Sequence, residues 1–156
     1  MTVREAVAKQ YQAIVHRATA SIGRQSSLPS EGWIATVRKA LNMSGAQLAR
    51  RLGVTRARIS QAERAELAGG VTLRTMQETA EAMGCRFVYA IVPVEGDIED
   101  VITAQARRKA EALVRKASTH MALEGQSLPE ETNKAEVARI ARELVRTMPT
   151  DFWTDR

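Results

Sequence analysis

The sequence predicts a mainly helical protein with one short β-strand. Apolar residues recur every three or four positions through most of the 156 residues, and glycine or hydroxyl residues stand where these runs begin and end. Only Cys85–Val92 is rich in β-branched and aromatic residues. We therefore expect three segments: an N-terminal amphipathic helix and linker (1–30), a central helical domain with the strand (31–93), and a C-terminal helical region (94–156).

The first two helices are predicted from their apolar spacing. Residues 2–22 should form an amphipathic helix with apolar positions Val3, Val7, Tyr11, Ile14, Val15 and Ala18. The stretch Gly23–Gly32 combines glycine, serine and proline, which predicts a linker. The helix after it should pack one side against the following segment, through Trp33, Ile34, Val37 and Leu41.

The segment Ser44–Glu63 (SGAQLARRLGVTRARISQAE) predicts two short helices joined by a tight turn. Ser44 and Gln47 have the spacing of a capping box, in which the hydroxyl accepts from the third amide and the glutamine reaches back. Gly53 stands where the first helix must end with a positive φ, and Thr55 is placed to cap the second. The shared core should contain Leu48, Ala49, Leu52, Ile59 and Ala62.

The start of the second helix is predicted to face outward with short polar and Arg or Gln side chains. Such a helix N-terminus can enter the major groove of DNA, where Arg forks onto guanine, Gln onto adenine, and a methyl group contacts thymine. We expect base contacts from Arg56, Ala57, Ser60 and Gln61. We expect phosphate contacts from Ser44, Gln47, Arg51 and Arg58.

The charge distribution also favours an anionic partner. The chain has a net charge of +5 and a pI near 9.9. Residues 31–64 contain seven Lys or Arg side chains (38, 39, 50, 51, 56, 58 and 64) against two Glu (31 and 63), an excess of five positive charges. The basic character is therefore concentrated around the two-helix segment, as nucleic-acid binding requires.

This segment resembles a known family of DNA-binding proteins. The run QLARRLGVTRARISQAE is similar to the helix-turn-helix of the Xre and lambda-repressor-like proteins, and the resemblance extends from about Trp33 to Met83. It implies a lambda-repressor-like helix-turn-helix bundle that binds double-stranded operator DNA. The alternative interpretation is a basic helical hairpin with a solvated outer face.

The stretch Cys85–Val92 (CRFVYAIV) is the predicted strand, and Pro93 ends it. A lone strand leaves its backbone groups unpaired, so it needs a partner. That partner is either a second copy of the chain, paired across a two-fold axis through Phe87, Tyr89 and Ile91, or an extended segment of the same chain. A homodimer suits DNA binding because two recognition helices read two half-sites.

Two long helices are predicted in the C-terminal region. The first runs from about Ile98 to Leu123, and Gly125 closes it. Ser127 and Glu130 have the spacing of a second capping box around Pro129. The last helix stops before Pro149 and holds Val137, Ile140, Ala141, Leu144 and Val145.

The stretch Ala117–Glu131 resembles the inhibitory helix of antitoxins that block Fic-type AMP-transferases. Their motif is Ser or Thr, three residues, Glu, then Gly or Asn, and Glu124 and Gly125 match its end. The resemblance implies that Glu124 pairs with a toxin arginine that normally holds the γ-phosphate of ATP, since a carboxylate mimics phosphate for a guanidinium group. At the hydroxyl position stands His120, with Thr119 one residue earlier. Either His120 replaces the hydroxyl, or the match is partly coincidental and Glu-Gly is an ordinary helix end.

The layout of the whole chain is similar to the family called mobile mystery protein A, most closely over residues 32–125. The segments GWIATVRKALNMSGAQLARRLGV, GCRFVYAIVP and LEGQ carry this resemblance. It implies an antitoxin that represses its own operator and blocks the ATP site of a partner Fic-domain protein. The alternatives are a plain phage- or plasmid-type repressor whose C-terminal helices only dimerise, and a protein inhibitor whose helix-turn-helix no longer binds DNA.

The sequence contains no motif typical of an enzyme active site. His16 and His120 lie in different segments without Asp or Cys at metal-ligand spacing, and phosphate-loop, nucleophile-elbow and zinc-protease motifs are missing. We expect a binding protein that is not an enzyme, uses no metal or cofactor, and keeps Cys85 buried; nothing in the sequence indicates a small-molecule ligand. One cysteine, no signal peptide and no bilayer-length apolar run predict a soluble cytoplasmic protein without membrane contact.

Overall fold

The computed structural model of the protein describes residues 1–23 and 28–154. Within these ranges the chain is mainly helical, as predicted. The helices are α1 (Val3–Ile22), α2 (Gly32–Ala40), α3 (Gly45–Leu52), α4 (Arg56–Leu67), α5 (Leu73–Ala82), α6 (Ile98–Leu123) and α7 (Glu130–Thr147). Two compact units can be distinguished, one drawn from residues 1–24 and 91–156 and the other from residues 25–90. Residues 24–27 of the expected linker lie outside the described residues.

Helices α2 to α5 form the unit that contains the predicted helix-turn-helix. Their apolar faces meet in one core made of Ile34, Leu48, Ala49, Ile59, Met76 and Met83. Leu48 is completely buried, and Ala49 beside it is small enough to let α4 cross α3 closely. The helical spacing read from the sequence therefore gives the correct core for α3 and α4.

The predicted helix ends in this unit are confirmed. Ser44 Oγ accepts a hydrogen bond from the Gln47 amide at 3.1 Å, and Gln47 Oε1 accepts one from the Ser44 amide at 2.8 Å. Gly53 ends α3 in the left-handed conformation with φ of +67°. The hydroxyl of Thr55 accepts from the Arg58 amide at 3.2 Å and caps α4. All of these bonds are local, so the sequence spacing alone specifies them.

The start of α2 is capped from a distant part of the chain. Glu66, near the end of α4, accepts hydrogen bonds from the backbone amides of Trp33 at 2.6 Å and Ile34 at 3.0 Å. Gly32 has φ of +81°, and a Cβ atom there would lie 2.8 Å from Glu66 Oε2. The Trp33 side chain is itself exposed, so this part of the predicted α2 core face is wrong and the backbone makes the contact instead.

The predicted dimerising strand at Cys85–Val92 is not found. This segment has no regular secondary structure, and no backbone hydrogen bond joins residues 86–94 to any other part of the described chain. Phe87 packs partly against the α2–α5 core and stacks on Tyr89 at 5.7 Å between ring centroids, whereas Ile91 is 92% exposed. A strand requires a neighbouring backbone, and the described part of this chain provides none. The expectation that Cys85 is buried is also wrong, because this residue is exposed.

The other unit is built around a helical hairpin of α6 and α7, with α1 packed against α6. Its buried apolar residues include Ala106, Ala110, Val114 and Phe152. Two side chains of α6 hold the chain after α7. Gln105 donates to the Phe152 carbonyl at 2.9 Å, and Lys109 donates to the carbonyls of Asp151 at 2.5 Å and Thr154 at 3.0 Å.

The predicted capping box of Ser127 and Glu130 is wrong. Pro129 occupies the N-cap of α7, and no side chain caps this helix end. The ring of Pro129 fixes its φ at a value compatible with the start of a helix, and proline has no amide donor that needs an acceptor. The helix therefore begins at Glu130, and Ser127 does not cap it. A capping box does form at the start of α6, between Asp97 and Asp100. Among the helices described, none is long and apolar enough to cross a membrane.

Candidate nucleic-acid interface

Helix α4 has one side that packs into the unit and one side that is exposed. Ile59 and Glu66 point into the unit, while Ala57 and Gln61 lie four residues apart on the exposed side. The predicted base-reading residues Arg56, Ala57 and Gln61 are all exposed, and Ser60 is half-buried. The structure therefore places these four side chains together on the first half of α4, accessible to a partner.

The capping box of α3 leaves hydrogen-bond donors available. Ser44 and Gln47 use only acceptor atoms, Oγ and Oε1, to hold the helix end. The serine O–H and the glutamine Nε2 amide remain as donors, and both residues are exposed. A phosphate group accepts hydrogen bonds but donates none, so these side chains suit the phosphate contacts predicted for them.

Two glutamates of this unit, Glu31 and Glu63, form ion pairs, and both pair with basic residues of α2. Arg38 pairs with Glu63 at 2.8 Å and also donates to the Met43 carbonyl at 3.0 Å. Lys39 pairs with Glu31 at 2.5 Å, and this hydrogen bond lowers the pKa of the Glu31 carboxyl below its usual value. The two glutamates of residues 31–64 are thus both occupied. The excess of five positive charges is carried by Arg50, Arg51, Arg56, Arg58 and Arg64.

Arg51 differs from the other four arginines because part of its side chain is already bonded. Its Nε donates to the carbonyl of Ala82, at the end of α5, with a distance of 2.5 Å. The two terminal nitrogens of the guanidinium group make no further hydrogen bond within residues 28–90. The contact fixes the direction of the side chain and leaves its outer donors available to an anion.

A shallow recess between α2 and α3 adds residues that the sequence did not indicate. It encloses about 400 Å³ and is lined by Leu41, Asn42, Met43, Gln47, Arg50 and Arg51. Asn42 has φ of +54°, a left-handed conformation that asparagine tolerates better than most residues. Two guanidinium groups and two amides therefore meet at one opening, whose polar lining suits a phosphate oxygen.

Arg64 is a second residue missing from the predicted interface. It is exposed and follows Ala57 by seven residues and Gln61 by three, so it continues the same outward side of α4. No ion pair within the described residues neutralises it. The sequence signal is the helical spacing from Ala57, which points to Arg64 as directly as to Gln61.

The residues of the expected toxin-inhibitory motif lie at the end of α6. His120 and Glu124 are exposed, and the Glu124 amide donates to the His120 carbonyl at 3.2 Å. Thr119 does not extend toward Glu124, because its hydroxyl donates to the Arg115 carbonyl one turn earlier at 2.9 Å. Gly125 has φ of +74°, which turns the chain away from the helix axis beside the glutamate.

Comparison with known proteins identifies the central unit. Residues 34–89 match a helix-turn-helix family model, which covers α3, the turn and α4 together with the helices that support them. The chain thus carries a helix-turn-helix DNA-binding domain, the class used by transcription regulators. This match supports the predicted resemblance of the domain to the Xre and lambda-repressor-like regulators. No curated protein and no solved structure matches the chain.

Proposed function

We propose that the protein is a homodimeric repressor that binds a two-fold symmetric operator in double-stranded DNA, including that of its own gene. The observation that carries this proposal is a set of five arginines on α3 and α4 that form no ion pair within the described residues. Surface charges are normally interspersed with opposite ones, so an uncompensated group around a helix-turn-helix favours the phosphate backbone as partner.

Base recognition is assigned to the first half of α4. Arg56 and Gln61 have the donors and acceptors for a bidentate contact with guanine and adenine. Ala57 offers a methyl group for thymine, and Ser60 is a secondary contact. The phosphate contacts are assigned to Ser44, Gln47, Arg51 and Arg58, and the recess geometry adds Asn42 and Arg50.

The test begins with selection of a binding site from random double-stranded DNA by the full chain. Arg56→Ala should then weaken binding to the selected site by about 1–3 kcal/mol and relax preference at one base pair per half-site. Arg51→Ala should weaken binding to all sequences alike. Lys39→Ala, which removes an equal charge paired with Glu31, serves as the control and should leave affinity unchanged. A binding profile that is identical for the wild type and Arg56→Ala would exclude this assignment.

We further propose that the end of α6 inhibits a Fic-type AMP-transferase, which would make the protein an antitoxin. The support is the resemblance of residues 117–131 and the exposure of the motif. Leu123 is 82% exposed, and the adjacent Glu124 carboxylate has no ion-pair partner in the part of the chain described. An apolar side chain beside a free carboxylate matches a site that must bind an arginine and exclude water.

This second proposal is tested with the Fic-domain protein encoded beside the gene. Co-expression and pull-down should yield a complex, and auto-AMPylation by the Fic protein should stop when the complex forms. Glu124→Arg should restore AMP transfer, whereas Glu78→Arg, an equal charge reversal at an exposed position of α5, should not. The chain by itself should transfer no AMP, because we propose that it acts by binding alone. Inhibition that is indifferent to Glu124 would leave only the DNA-binding function.

A further inference from the structure

The surface of α7 carries a groove that no part of the described chain fills. It encloses about 510 Å³ and extends from the middle of α7 to the neighbouring part of α6. Its lining combines small and apolar side chains with three cationic ones. The lining residues are Thr103, Arg107, Lys134, Val137, Ala138, Ala141, Arg142 and Val145. No acidic residue lines the groove, but Arg107 pairs with Glu111 at 3.1 Å and Lys134 with Glu130 at 3.4 Å, so Arg142 is its one cation without an ion pair in the described chain.

Helix α7 is amphipathic but incompletely covered. Although it has 18 residues and a regular apolar side, none of its residues is buried. Val145 in the groove remains 39% exposed. An amphipathic helix gains stability mainly by burying its apolar side against other helices. The hairpin therefore lacks a packing partner on this side.

The same hairpin carries a segment of complementary character. The turn between α6 and α7 exposes two leucines, Leu123 and Leu128, beside three carboxylates. These carboxylates belong to Glu124, Glu130 and Glu131, and only Glu130 has an ion pair in the described chain, a long one of 3.4 Å with Lys134. An acidic, apolar turn and a basic, apolar groove thus lie on one hairpin.

When two such hairpins pack side by side in opposite directions, the turn of each hairpin contacts the groove of the other. The 26 residues of α6 span about 39 Å at a rise of about 1.5 Å per residue, so an antiparallel neighbour brings its turn to the open end of the hairpin. There it meets Arg107, Arg142 and Val145. A two-fold axis repeats the contact, because each turn then occupies the groove of the other copy. Helix α1 does not complement the groove, since its Arg4, Lys9 and Arg17 outnumber its single Glu5.

We propose that the α6–α7 hairpin binds the same hairpin of a second copy as an antiparallel four-helix bundle, with the acidic turn of each protomer in the basic groove of the other. This interface differs from a strand pairing through residues 85–92. It rests on the homodimer of the proposed function and assigns its contact, and the turn with Glu124 can occupy either this groove or a Fic-type partner, not both at once.

The experiment is analytical ultracentrifugation of the full-length protein at several concentrations. The wild type should be a dimer. Arg142→Glu and Glu131→Arg should each raise the dimer dissociation constant at least tenfold, because each places two like charges opposite one another in two symmetric contacts. The double variant should recover most of the wild-type affinity, since it restores the pairing with its signs exchanged. Arg139→Glu is the matched control on the same helix, where Arg139 pairs with Glu136 outside the groove, and it should leave the dimer intact.

Three results would contradict the proposal. A wild-type protein that stays monomeric at about 100 μM would overturn the proposal. So would a dimer that tolerates both charge reversals but dissociates in Ile91→Arg, because the extended segment would then be the contact. Failure of the double variant to recover affinity would exclude the turn-to-groove pairing. Circular dichroism confirms folding of each variant, and operator affinity measured on the same samples separates loss of the dimer from loss of DNA binding.

Discussion

Glu66 is the only buried carboxylate in the described chain, and it has no cationic partner there. Its side chain is 8% exposed, yet both oxygens accept from backbone amides at the start of α2. A helix begins with amides that have no acceptor within the helix, and their partial positive charge favours an anion. Burying this carboxylate is therefore tolerated because two donors replace the water that it loses.

Replacing Glu66 should destabilise the helix-turn-helix unit. Glu66→Leu leaves the amides of Trp33 and Ile34 without acceptors, so the free energy of unfolding should fall by about 2–4 kcal/mol. Glu66→Gln keeps one good acceptor and should lose less. Urea denaturation measures both, with exposed Glu78→Leu as the control that should change stability by less than about 0.5 kcal/mol. Equal stabilities of Glu66→Leu and Glu78→Leu would show that the cap is not made.

Gln47 allows its two roles to be separated by one substitution. Gln47→Glu keeps the oxygen that accepts from the Ser44 amide, so thermal stability should be retained. The same change replaces the free amide donor by a negative charge at the end of α3 that we propose to face phosphate. DNA affinity, measured by fluorescence anisotropy, should drop at least about tenfold, or about 1.4 kcal/mol. Unchanged affinity would remove Gln47 from the interface.

At the scale of the element, the turn between α3 and α4 depends on one left-handed residue. Gly53 has φ of +67°, and no atom lies within 4 Å of the position that a Cβ would occupy, so the cost of a side chain there is backbone strain and not collision. Gly53→Ala should lower the free energy of unfolding by about 1–2 kcal/mol. Gly45→Ala in the same helix, where the nearest atom is 3.9 Å away and φ is ordinary, should be neutral or slightly stabilising. Chemical denaturation of the two variants should therefore separate them clearly; a similar loss in both would point to crowding instead.

Which elements were predictable follows from the range of the interactions that define them. Ser44, Gln47, Gly53 and Thr55 fix helix ends through bonds to residues three or four positions away, and a sequence displays such spacing directly. The Glu66 cap joins residues more than 30 positions apart, so no local pattern indicated it. The Cys85–Val92 segment has a strand-like composition, but its conformation depends on a neighbouring backbone that composition cannot supply.

The sequence predicts where the candidate interface lies, but only some of the residues that form it. Arg56, Ala57 and Gln61 follow from the outward side of an amphipathic helix, and the structure places them there. Arg64 follows from the same spacing but is missing from the predicted set. Asn42 and Arg50 were not predictable, because the recess that joins them to Gln47 depends on how α2 meets α3. Helical periodicity identifies the exposed side of one helix, whereas a site shared by two helices requires their packing.

At the scale of the whole molecule, ion pairs within the protein determine which basic side chains remain available to bind a partner. The chain has 23 basic residues, but those of α2 are neutralised within the helix-turn-helix unit while those of α3 and α4 are not. Counterion release depends on the phosphates that a protein contacts, and not on its total charge. The salt dependence of binding should therefore distinguish basic residues that carry the same formal charge.

This distinction gives a prediction for the full-length protein on its selected DNA site. Arg58→Gln should reduce the slope of log affinity against log salt concentration by about 0.9 for each phosphate that Arg58 neutralises. Lys39→Gln removes an equal charge but only disrupts its pair with Glu31, so the slope should stay the same. Titrations at several salt concentrations measure both slopes. Equal losses in the two variants would mean that net charge, and not the arrangement of α3 and α4, controls binding.

The separation of tasks on α4 also bears on how such a regulator diverges. Ile59, Glu63 and Glu66 hold the helix in the fold, whereas Arg56, Ala57 and Gln61 make no side-chain bond within residues 28–90. We therefore expect substitutions at those three outward positions to alter the proposed DNA recognition with little effect on folding. After gene duplication, we expect a copy of this domain to be able to acquire a new operator in single steps without an unstable intermediate. For the same reason, these are the positions to randomise when a set of repressors is wanted in which each one binds only its own operator.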